Sequence, residues 1–313
     1  MIKKPISRDG GESSRLKGAL AITASALGFA AMAACVRLAD DYGGSISSFQ
    51  KSFFRNIVAF AVALAVFLHS SVNSKISAGT ELAKVFSSRS AASVLFIRCI
   101  LGTCGIFANF YALSKISIAD CQTLNKTAPF FTVLFAWLFL GEKASKRGVW
   151  ALAVAFFGVL FVAKPVFAGD YSFPLFVALS GGVFAGGAYA SVRALKHRNV
   201  DSSLIVLFFS AFSSLSSIPF IVYSFDPMTL MQCVILLGAG TFAALGQFGL
   251  TMAYGYAAPR DIAVCDYSNI LFTAAFGFLL FNQVPDVFSV VGFVLILTAV
   301  LILNSRGAKK NVE

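Results

Sequence analysis

Residues 98–142 contain the pattern that decides the fold: RCILGTCGIFANFYALSKISIADCQTLNKTAPFFTVLFAWLFLGE. Two long apolar runs stand on either side of the short polar turn SKIS. A helix that crosses a bilayer needs about 20 predominantly apolar residues; the second run reaches that length, and the first reaches it when counted from residue 91. Arg98 and Lys126 nevertheless lie inside the apolar runs. The segment therefore predicts two consecutive transmembrane helices that carry charged groups within the membrane.

The whole chain shares this apolar character. Of its 313 residues, 58% are hydrophobic and 12% are charged, and the mean hydropathy is +0.82. A soluble domain is about 45–50% apolar and about 25% charged, so the bilayer is the predicted solvent. The longest polar connector, residues 69–90, is expected to form a loop or a short amphipathic helix at the surface. We predict an all-α polytopic membrane protein with ten transmembrane helices, near residues 17–37, 48–68, 91–113, 118–138, 147–165, 173–193, 203–223, 229–255, 261–281 and 286–304.

The distribution of basic residues predicts the orientation. Cytoplasmic loops carry an excess of Lys and Arg. With the N-terminus inside, 18 of the 25 Lys and Arg residues fall in inner segments, four at outer ends and three within spans. We therefore predict a multi-pass protein of the bacterial inner membrane with both termini cytoplasmic. The net charge of +11 comes mainly from the basic residues of the inner segments, so no nucleic-acid partner is predicted.

The two halves of the sequence resemble each other. ACVR at 34–37 aligns with ASVR at 190–193, and an offset of 141 residues aligns Gly105 with Gly246. Because each half contains five spans, an odd number, the halves must lie in opposite orientations, an arrangement typical of secondary transporters. The predicted organisation is a cytoplasmic tail (1–16), a first five-helix repeat (17–165), a second five-helix repeat (173–304) and a cytoplasmic tail (305–313).

The chain also resembles the EamA-type transporters of the drug/metabolite transporter superfamily. In residues 98–142 the matching features are the arginine of the third span, the ALSKISIAD turn, the proline in the fourth span and the GE that ends it. The second repeat matches through GQFGLTMAYGYAAPRDIAVCDYSNILFTAAFGFLLF at 246–281. The resemblance covers nearly the whole chain between the termini and implies a permease for a small metabolite. It departs at Asn282-Gln283, where the family pattern often has Gly-Glu.

A polar stripe runs along the fourth predicted span. Gln122, Asn125, Lys126 and Pro129 stand at i, i+3, i+4 and i+7, which places them on one helix face. Pro129 has no N–H, so it predicts a kink that leaves the Asn125 carbonyl without its helical partner. This face is predicted to form a wall of the substrate site, with Lys126 as the anion contact. A Lys126–Asp266 bridge that locks two helices together is the alternative.

The ninth span carries a comparable stripe. Asp266 and Asn269 share a face, and the 141-residue offset aligns Asp266 with Asn125 and Tyr267 with Lys126. Straight helices at 1.5 Å per residue would place Lys126 and Asp266 about 10 Å apart along the membrane normal, which favours a zwitterionic or anionic solute between them. The predicted substrate-binding residues are Lys126, Asn125, Gln122, Asp266, Asn269, Tyr267 and Tyr189.

Five further charges are predicted to have structural or gating roles. Arg98 is expected to pair with Glu142 or to extend towards the headgroups. Arg55 is expected to pair with Asp120. Asp261 opens the ninth span, where a carboxylate is favoured by the helix dipole.

The motifs of catalysis and metal binding are missing from the sequence, so no catalytic residue, metal or cofactor is predicted. The leading hypothesis is a secondary transporter that uses alternating access to move an amino-acid-like, nucleotide-cofactor-like or other zwitterionic or anionic solute across the bilayer. Its energy would come from an ion gradient, such as a proton gradient, or from an exchanged solute, and it would act as a monomer or homodimer. A membrane-embedded enzyme or sensor is the alternative.

Overall fold

The computed structural model describes residues 11–44, 46–73, 78–113, 115, 124–143, 145–163, 172–282 and 287–304. Throughout these residues the regular secondary structure is helical. A 3-10 helix at Ala263–Tyr267 lies between α10 and α11. The α-helices, numbered in chain order, are α1 (Gly11–Asp41), α2 (Ser48–Asn73), α3 (Ala78–Ser87), α4 (Arg89–Leu113), α5 (Ala128–Leu140), α6 (Lys146–Ala163), α7 (Ser172–His197), α8 (Ser202–Tyr223), α9 (Leu230–Tyr256), α10 (Pro259–Ile262), α11 (Ser268–Phe281) and α12 (Val287–Asn304).

The helices have the lengths and composition of a membrane protein. Two apolar helical segments, Ala128–Leu140 and Val290–Ala299, are shorter than a full span. The predicted all-α polytopic class is confirmed for the described residues, whereas the count of ten spans stays a prediction. Seven helical segments are long and apolar enough to cross a bilayer: Ser13–Asp41, Ser48–His69, Arg89–Ala112, Phe173–His197, Ser202–Tyr223, Leu230–Tyr256 and Pro259–Phe281.

The polar connector predicted at residues 69–90 is largely helical. α2 continues to Asn73, and α3 forms a short separate helix. On α3, Val85 is buried and Leu82 packs beside it in an apolar cluster that also contains Leu95. The connector is therefore held against the body of the protein by one apolar face.

The fourth predicted span differs from a continuous helix. After helical residues at Leu124 and Asn125, the chain turns at Lys126 and Thr127 and resumes as α5. Pro129 lies in the first turn of α5, so the helix is interrupted before the proline. The sequence predicted a kink at the proline itself. The physical reason is that a first-turn residue needs no N–H donor, which makes this the position that proline fits best.

The ninth predicted span is interrupted at the equivalent place. Its helix changes from α10 to the 3-10 helix and then to α11, which begins at Ser268. Both spans end on a residue in the left-handed conformation, Gly141 with φ 68° and Asn282 with φ 53°. Glycine and asparagine are the residues that adopt this cap most easily. Gly141 and Asn282 are also related by the 141-residue offset of the sequence repeat.

The closest helix pairs join the first half of the chain to the second. α1 lies along α9, α4 along α7, α2 along α8 and α6 along α12. Glycines make these approaches possible: a Cβ built on Gly28 would lie 2.9 Å from the Gly246 nitrogen, and one on Gly158 would lie 2.8 Å from the Gly292 carbonyl oxygen. The packed interior is therefore shared between the two halves.

Candidate functional site

Two charged side chains meet where the fourth and ninth spans are interrupted. Lys126 Nζ lies 3.7 Å from Asp266 Oδ2, and the side chains are 14% and 10% exposed. The long lysine side chain spans part of the offset of about 10 Å that straight helices would put between the two residues along the membrane normal. The turn at Lys126 and the 3-10 helix around Asp266 change the rise per residue and the direction of each side chain. The predicted alternative, a bridge between the two helices, describes the contact that forms.

Glycines on α7 allow the interrupted fourth span to pack closely against that helix. A Cβ on Gly182 would overlap Thr127 Oγ1 and lie 2.8 Å from the Leu124 carbonyl oxygen. A Cβ on Gly186 would lie 3.0 Å from the Ala128 carbonyl oxygen. Because these glycines have no side chain, α7 packs directly against the turn that carries Lys126. The glycine-rich stretch of the sequence thus serves as a packing surface for the site.

The remaining residues of the two predicted stripes have different surroundings. Asn269 Nδ2 donates a hydrogen bond of 2.7 Å to the Ala26 carbonyl, which holds α11 against α1. Tyr267 is fully buried in an apolar cluster with residues of α6 and α12. Asn125 is partly buried beside Lys126. Gln122 lies outside the described residues.

Tyr189, a predicted substrate-binding residue, lies on α7 one turn before Arg193. Its ring lies 6.0 Å from the ring of Tyr254. The charges of Arg55, Arg98 and Asp266 are all close enough to act on the Tyr189 hydroxyl. These observations define a polar centre, which consists of Arg55, Arg98, Lys126, Tyr189 and Asp266.

Arg98 lies deep in the protein. It is 1% exposed, its Nη2 donates to Gln247 Oε1 at 3.2 Å, and its guanidinium carbon lies 3.9 Å from the centre of the Phe209 ring. Both predictions for this residue are therefore wrong, since it neither reaches the headgroups nor pairs with Glu142. The reason is local: Gly102, one turn along α4, has no side chain, so the arginine folds over it into the bundle. A Cβ at Gly102 would overlap Arg98 Nη1.

Arg55 is also buried, at 8% exposure. Its guanidinium carbon lies 5.7 Å from the centre of the Phe29 ring, which is within cation–π range. Asp120, its predicted partner, lies outside the described residues, so that pair stays a prediction.

Glu142 has other partners at the predicted cytoplasmic end. Its Oε1 accepts a hydrogen bond from Arg193 Nε at 2.9 Å and lies 2.8 Å from His197 Nε2. Arg193 Nη1 also donates to the Tyr254 carbonyl at 2.9 Å. The left-handed Gly141 reverses the chain direction and places Glu142 beneath α7. We call Glu142, Arg193, His197 and the Tyr254 carbonyl the inner network, because they connect α5, α7 and α9.

Asp261 is a half-exposed residue in the first turn of α10, and its Oδ2 lies 3.7 Å from Arg260 Nε. Arg260 Nη1 donates to the Lys143 carbonyl at 2.6 Å, which connects α10 to the chain after α5. The N-terminal position of this carboxylate agrees with the sequence prediction.

A second set of contacts closes the opposite end. Lys51 Nζ lies 2.7 Å from Asp40 Oδ2. The Ser47 N–H donates to Asp226 Oδ2 at 2.7 Å, and Gln50 exchanges two hydrogen bonds of 2.9 Å with the Asp226 backbone. We call these residues the outer network. It joins the α1–α2 connection to the α8–α9 connection.

Sequence reasoning missed several participants. Gln247 had a detectable signal, because it is an amide inside an apolar span. Arg193 ends the repeated ASVR motif, but nothing in the sequence indicated that Glu142 is its partner. Phe209 stands in a phenylalanine-rich helix and carried no separate signal.

The chain is similar to known transporters. Residues 16–164 match the EamA-like transporter family. The pseudopaline exporter CntI of Pseudomonas aeruginosa is 36% identical over 223 residues, which cover 71% of this chain and 78% of the relative. A riboflavin transporter of Brucella anthropi is 26% identical over 213 residues, covering 66% of this chain and 74% of the relative.

A solved crystal structure has the same fold. It superimposes with a TM-score of 0.75 at 16% sequence identity, and the match covers 96% of this chain and 100% of the other. At this identity the likeness concerns the arrangement of helices alone.

Proposed function

Because the chain belongs to the EamA-like transporter family of the drug/metabolite transporter superfamily, we propose that it is a secondary transporter that moves a small organic metabolite across the bacterial inner membrane by alternating access. Family membership itself makes the chain a multi-pass membrane protein that transports small molecules, and not an enzyme. The observation that carries the proposal is the buried Lys126–Asp266 pair, which connects two interrupted spans. Ionisable groups at helix interruptions are typical of transport sites.

Inverted five-helix repeats, at 17–165 and 173–304, are part of the proposal. The packing supports them, because exchanging the halves maps the α1–α9 pair onto the α4–α7 pair and leaves the α2–α8 and α6–α12 pairs in place. The two interrupted spans and their left-handed caps follow the same relationship. A substrate site between inverted halves lies near the membrane midplane, where it can open to either side.

The proposed orientation places both termini in the cytoplasm. The inner network and Arg260 gather residues from segments that the charge distribution assigns to the inside. The outer network gathers residues from segments assigned to the outside. The protein's surroundings are the lipid bilayer, and it acts as a monomer or homodimer.

The inner network and the outer network are the proposed gates. Each joins helices of both halves, so each must open when the site is exposed to that side of the membrane. The polar centre between them is buried, with Asp266 at 7% exposure and Arg98 at 1%. Transport then requires the two networks to open in turn.

The proposed solute is zwitterionic or anionic, either amino-acid-like, nucleotide-cofactor-like or of another class. Lys126 would separate from Asp266 and bind the anionic group of the solute. Asp266 would then accept a hydrogen bond from the solute's amine, or take up a proton. Asn125, Asn269 and Tyr189 border this position, and the sequence adds Gln122 to it. Tyr267 would position Asp266 through its packing. The energy would come from a proton gradient or from an exchanged solute.

Release of solutes from proteoliposomes tests the function and identifies the substrate in one experiment. The liposomes are loaded with a bacterial metabolite extract, and mass spectrometry identifies what appears outside. We expect a small set of solutes to leave only when the protein is present, with saturation and counterflow. Lys126→Gln should stop this release, whereas Lys143→Gln, which removes an exposed lysine from the inner end, should not.

Two outcomes would contradict the proposal. If liposomes with and without the protein retain the same solutes, the protein is not a transporter of them. If the flux is fast and does not saturate, the protein is a channel, and alternating access is wrong.

A further inference from the structure

Two buried arginines stand on the neighbouring helices α2 and α4, without an ion-pair partner in the described part of the chain. Arg55 and Arg98 are 8% and 1% exposed, and the charge of Arg98 acts on Arg55. The ion pairs among the described residues involve other groups. Burial of two like charges is unfavourable unless an opposite charge approaches them. Their retention inside a membrane protein therefore indicates a function.

The guanidinium groups have unused hydrogen-bonding capacity. Arg98 Nε and Nη1, and Arg55 Nε, have no hydrogen-bond partner. A guanidinium has five N–H donors, and a buried donor without a partner is costly. Three buried hydroxyl groups on the neighbouring helices α4 and α8 are also unpartnered: Thr103, Ser210 and Ser214. By contrast, Ser217 on the same α8 bonds back to the Ser213 carbonyl at 2.9 Å.

The position of Arg98 is fixed before any ligand arrives. Gly102 leaves room for its guanidinium on one side, and Phe209 stacks at 3.9 Å on the other. Gln247 accepts a single hydrogen bond from Nη2. A neutral amide acceptor orients the guanidinium without neutralising it. Such preorganisation favours ligand binding, because less freedom is lost on association.

The charge balance of the polar centre points to an anion. Three described cations, Arg55, Arg98 and Lys126, face one carboxylate, Asp266. That carboxylate is already within 3.7 Å of Lys126. Among the described residues, the positive charge without an ion-pair partner therefore lies at the two arginines.

We infer that Arg55 and Arg98 form a binding site for an oxyanion group, a carboxylate or a phosphate, of the transported solute. The inference rests on the proposed function and adds to it, because it moves the main anion contact from Lys126 to the arginine pair. The substrate then carries a carboxylate or a phosphate that is ionised at neutral pH. Guanidinium suits this role because its planar N–H groups match both oxyanions.

Thermal unfolding of the detergent-purified full chain tests the site. The probes are sodium succinate, sodium citrate and sodium phosphate, compared with succinamide at constant ionic strength. We expect at least one oxyanion, and not succinamide, to raise the unfolding midpoint of the wild type. Arg98→Gln and Arg55→Gln should remove this shift. Arg198→Gln should retain it, because Arg198 bonds to the Ala194 carbonyl and Ser90 at the inner end.

The inference is overturned if no oxyanion stabilises the wild type, or if the shift persists in Arg98→Gln. Should Arg98→Gln fail to fold, Arg98→Lys keeps the charge but loses the fork of donors. We expect Arg98→Lys to weaken oxyanion binding by roughly tenfold. Unchanged binding in Arg98→Lys would equally overturn the inference.

The release experiment separates this inference from the proposed function. If the wild type releases only solutes that lack a carboxylate or phosphate, the arginine site is wrong while transport stands. If nothing is released, transport itself is wrong, and the unfolding shifts still report whether the arginines bind oxyanions.

Discussion

Lys126 Nζ and Asp266 Oδ2 lie 3.7 Å apart at the two points where membrane-spanning helices are interrupted. This contact is too long for a strong hydrogen bond and short enough for electrostatic attraction. A weak pair of this kind can separate when a solute supplies competing charges. It also keeps each charge partly neutralised when the site is empty of solute.

The first prediction concerns this pair. Lys126→Gln should lower transport by roughly tenfold or more, because it removes a buried charge-assisted contact. The variant should still elute as a monodisperse peak, since Gln retains the length and polarity at the site. Release from proteoliposomes and size-exclusion chromatography measure the two quantities. If Lys126→Gln and Asp266→Asn each unfold the protein and the double variant restores folding, the pair is a structural bridge.

The second prediction concerns the unequal ends of the two repeats. Arg193 pairs with Glu142 in the inner network, whereas its repeat equivalent Arg37 lies 4.7 Å from the ring of Phe281. The position equivalent to Glu142 is Gln283, which lies outside the described residues and carries no charge. We therefore expect the ion pair to favour the state that is closed to the cytoplasm.

Two substitutions test this asymmetry. Glu142→Gln should increase the exposure of the polar centre to the cytoplasm, because it weakens the inner network. Gln283→Glu should also increase this exposure, because an added charge should strengthen closure at the outer end. The measurement is the labelling rate of a cysteine at Tyr189 by a membrane-impermeant thiol reagent in inside-out vesicles. A lower rate in both variants would contradict the assignment of the gates.

The third prediction concerns the glycine beneath Arg98. Gly102→Ala would place a Cβ onto Arg98 Nη1 and 2.6 Å from Phe209 Cε2. We expect a loss of transport similar to that of Arg98→Gln, with a loss of stability of about 1–3 kcal/mol. Gly238→Ala is the matched control, because nothing lies within 4 Å of its added Cβ. Wild-type transport by Gly102→Ala would mean that the arginine position is unimportant.

The fourth prediction concerns topology. Cysteines are introduced at Ser224 and at Lys143, both exposed, in a background without the six native cysteines. In intact spheroplasts an impermeant thiol reagent should label position 224 and not position 143, because the charge distribution places the α8–α9 connection outside. The reverse labelling pattern would invert the orientation and exchange the roles of the two networks.

The sequence predicted the class of fold and brought the correct two spans together. Lys126 and Asp266 were both identified, because ionisable groups in apolar runs are rare. The offset between them was predicted for straight α-helices, whereas the departures from α-helical geometry arise from tertiary contacts. Gly182 and Gly186 on α7 make room for the turn at Lys126, and this contact is not visible within the fourth span itself.

The sequence did not predict the partners of Arg98 and Glu142, for a related reason. Helix periodicity places residues on faces, but it does not determine which helices those faces meet. Gln247 on α9 meets Arg98 of α4 through their long side chains in the interior of the bundle, and Glu142, which follows the left-handed Gly141, meets Arg193 of α7.

The position of Gln247 has a consequence for biogenesis. Arg98 and its hydrogen-bond partner are separated by 149 residues, so Arg98 enters the membrane long before Gln247 is synthesised. At about 5–20 residues per second this delay lasts roughly 10–30 s. An arginine at a helix centre costs at least about 2.5–3.5 kcal/mol during that interval. The nascent first half therefore carries this cost until α9 arrives and supplies the partner.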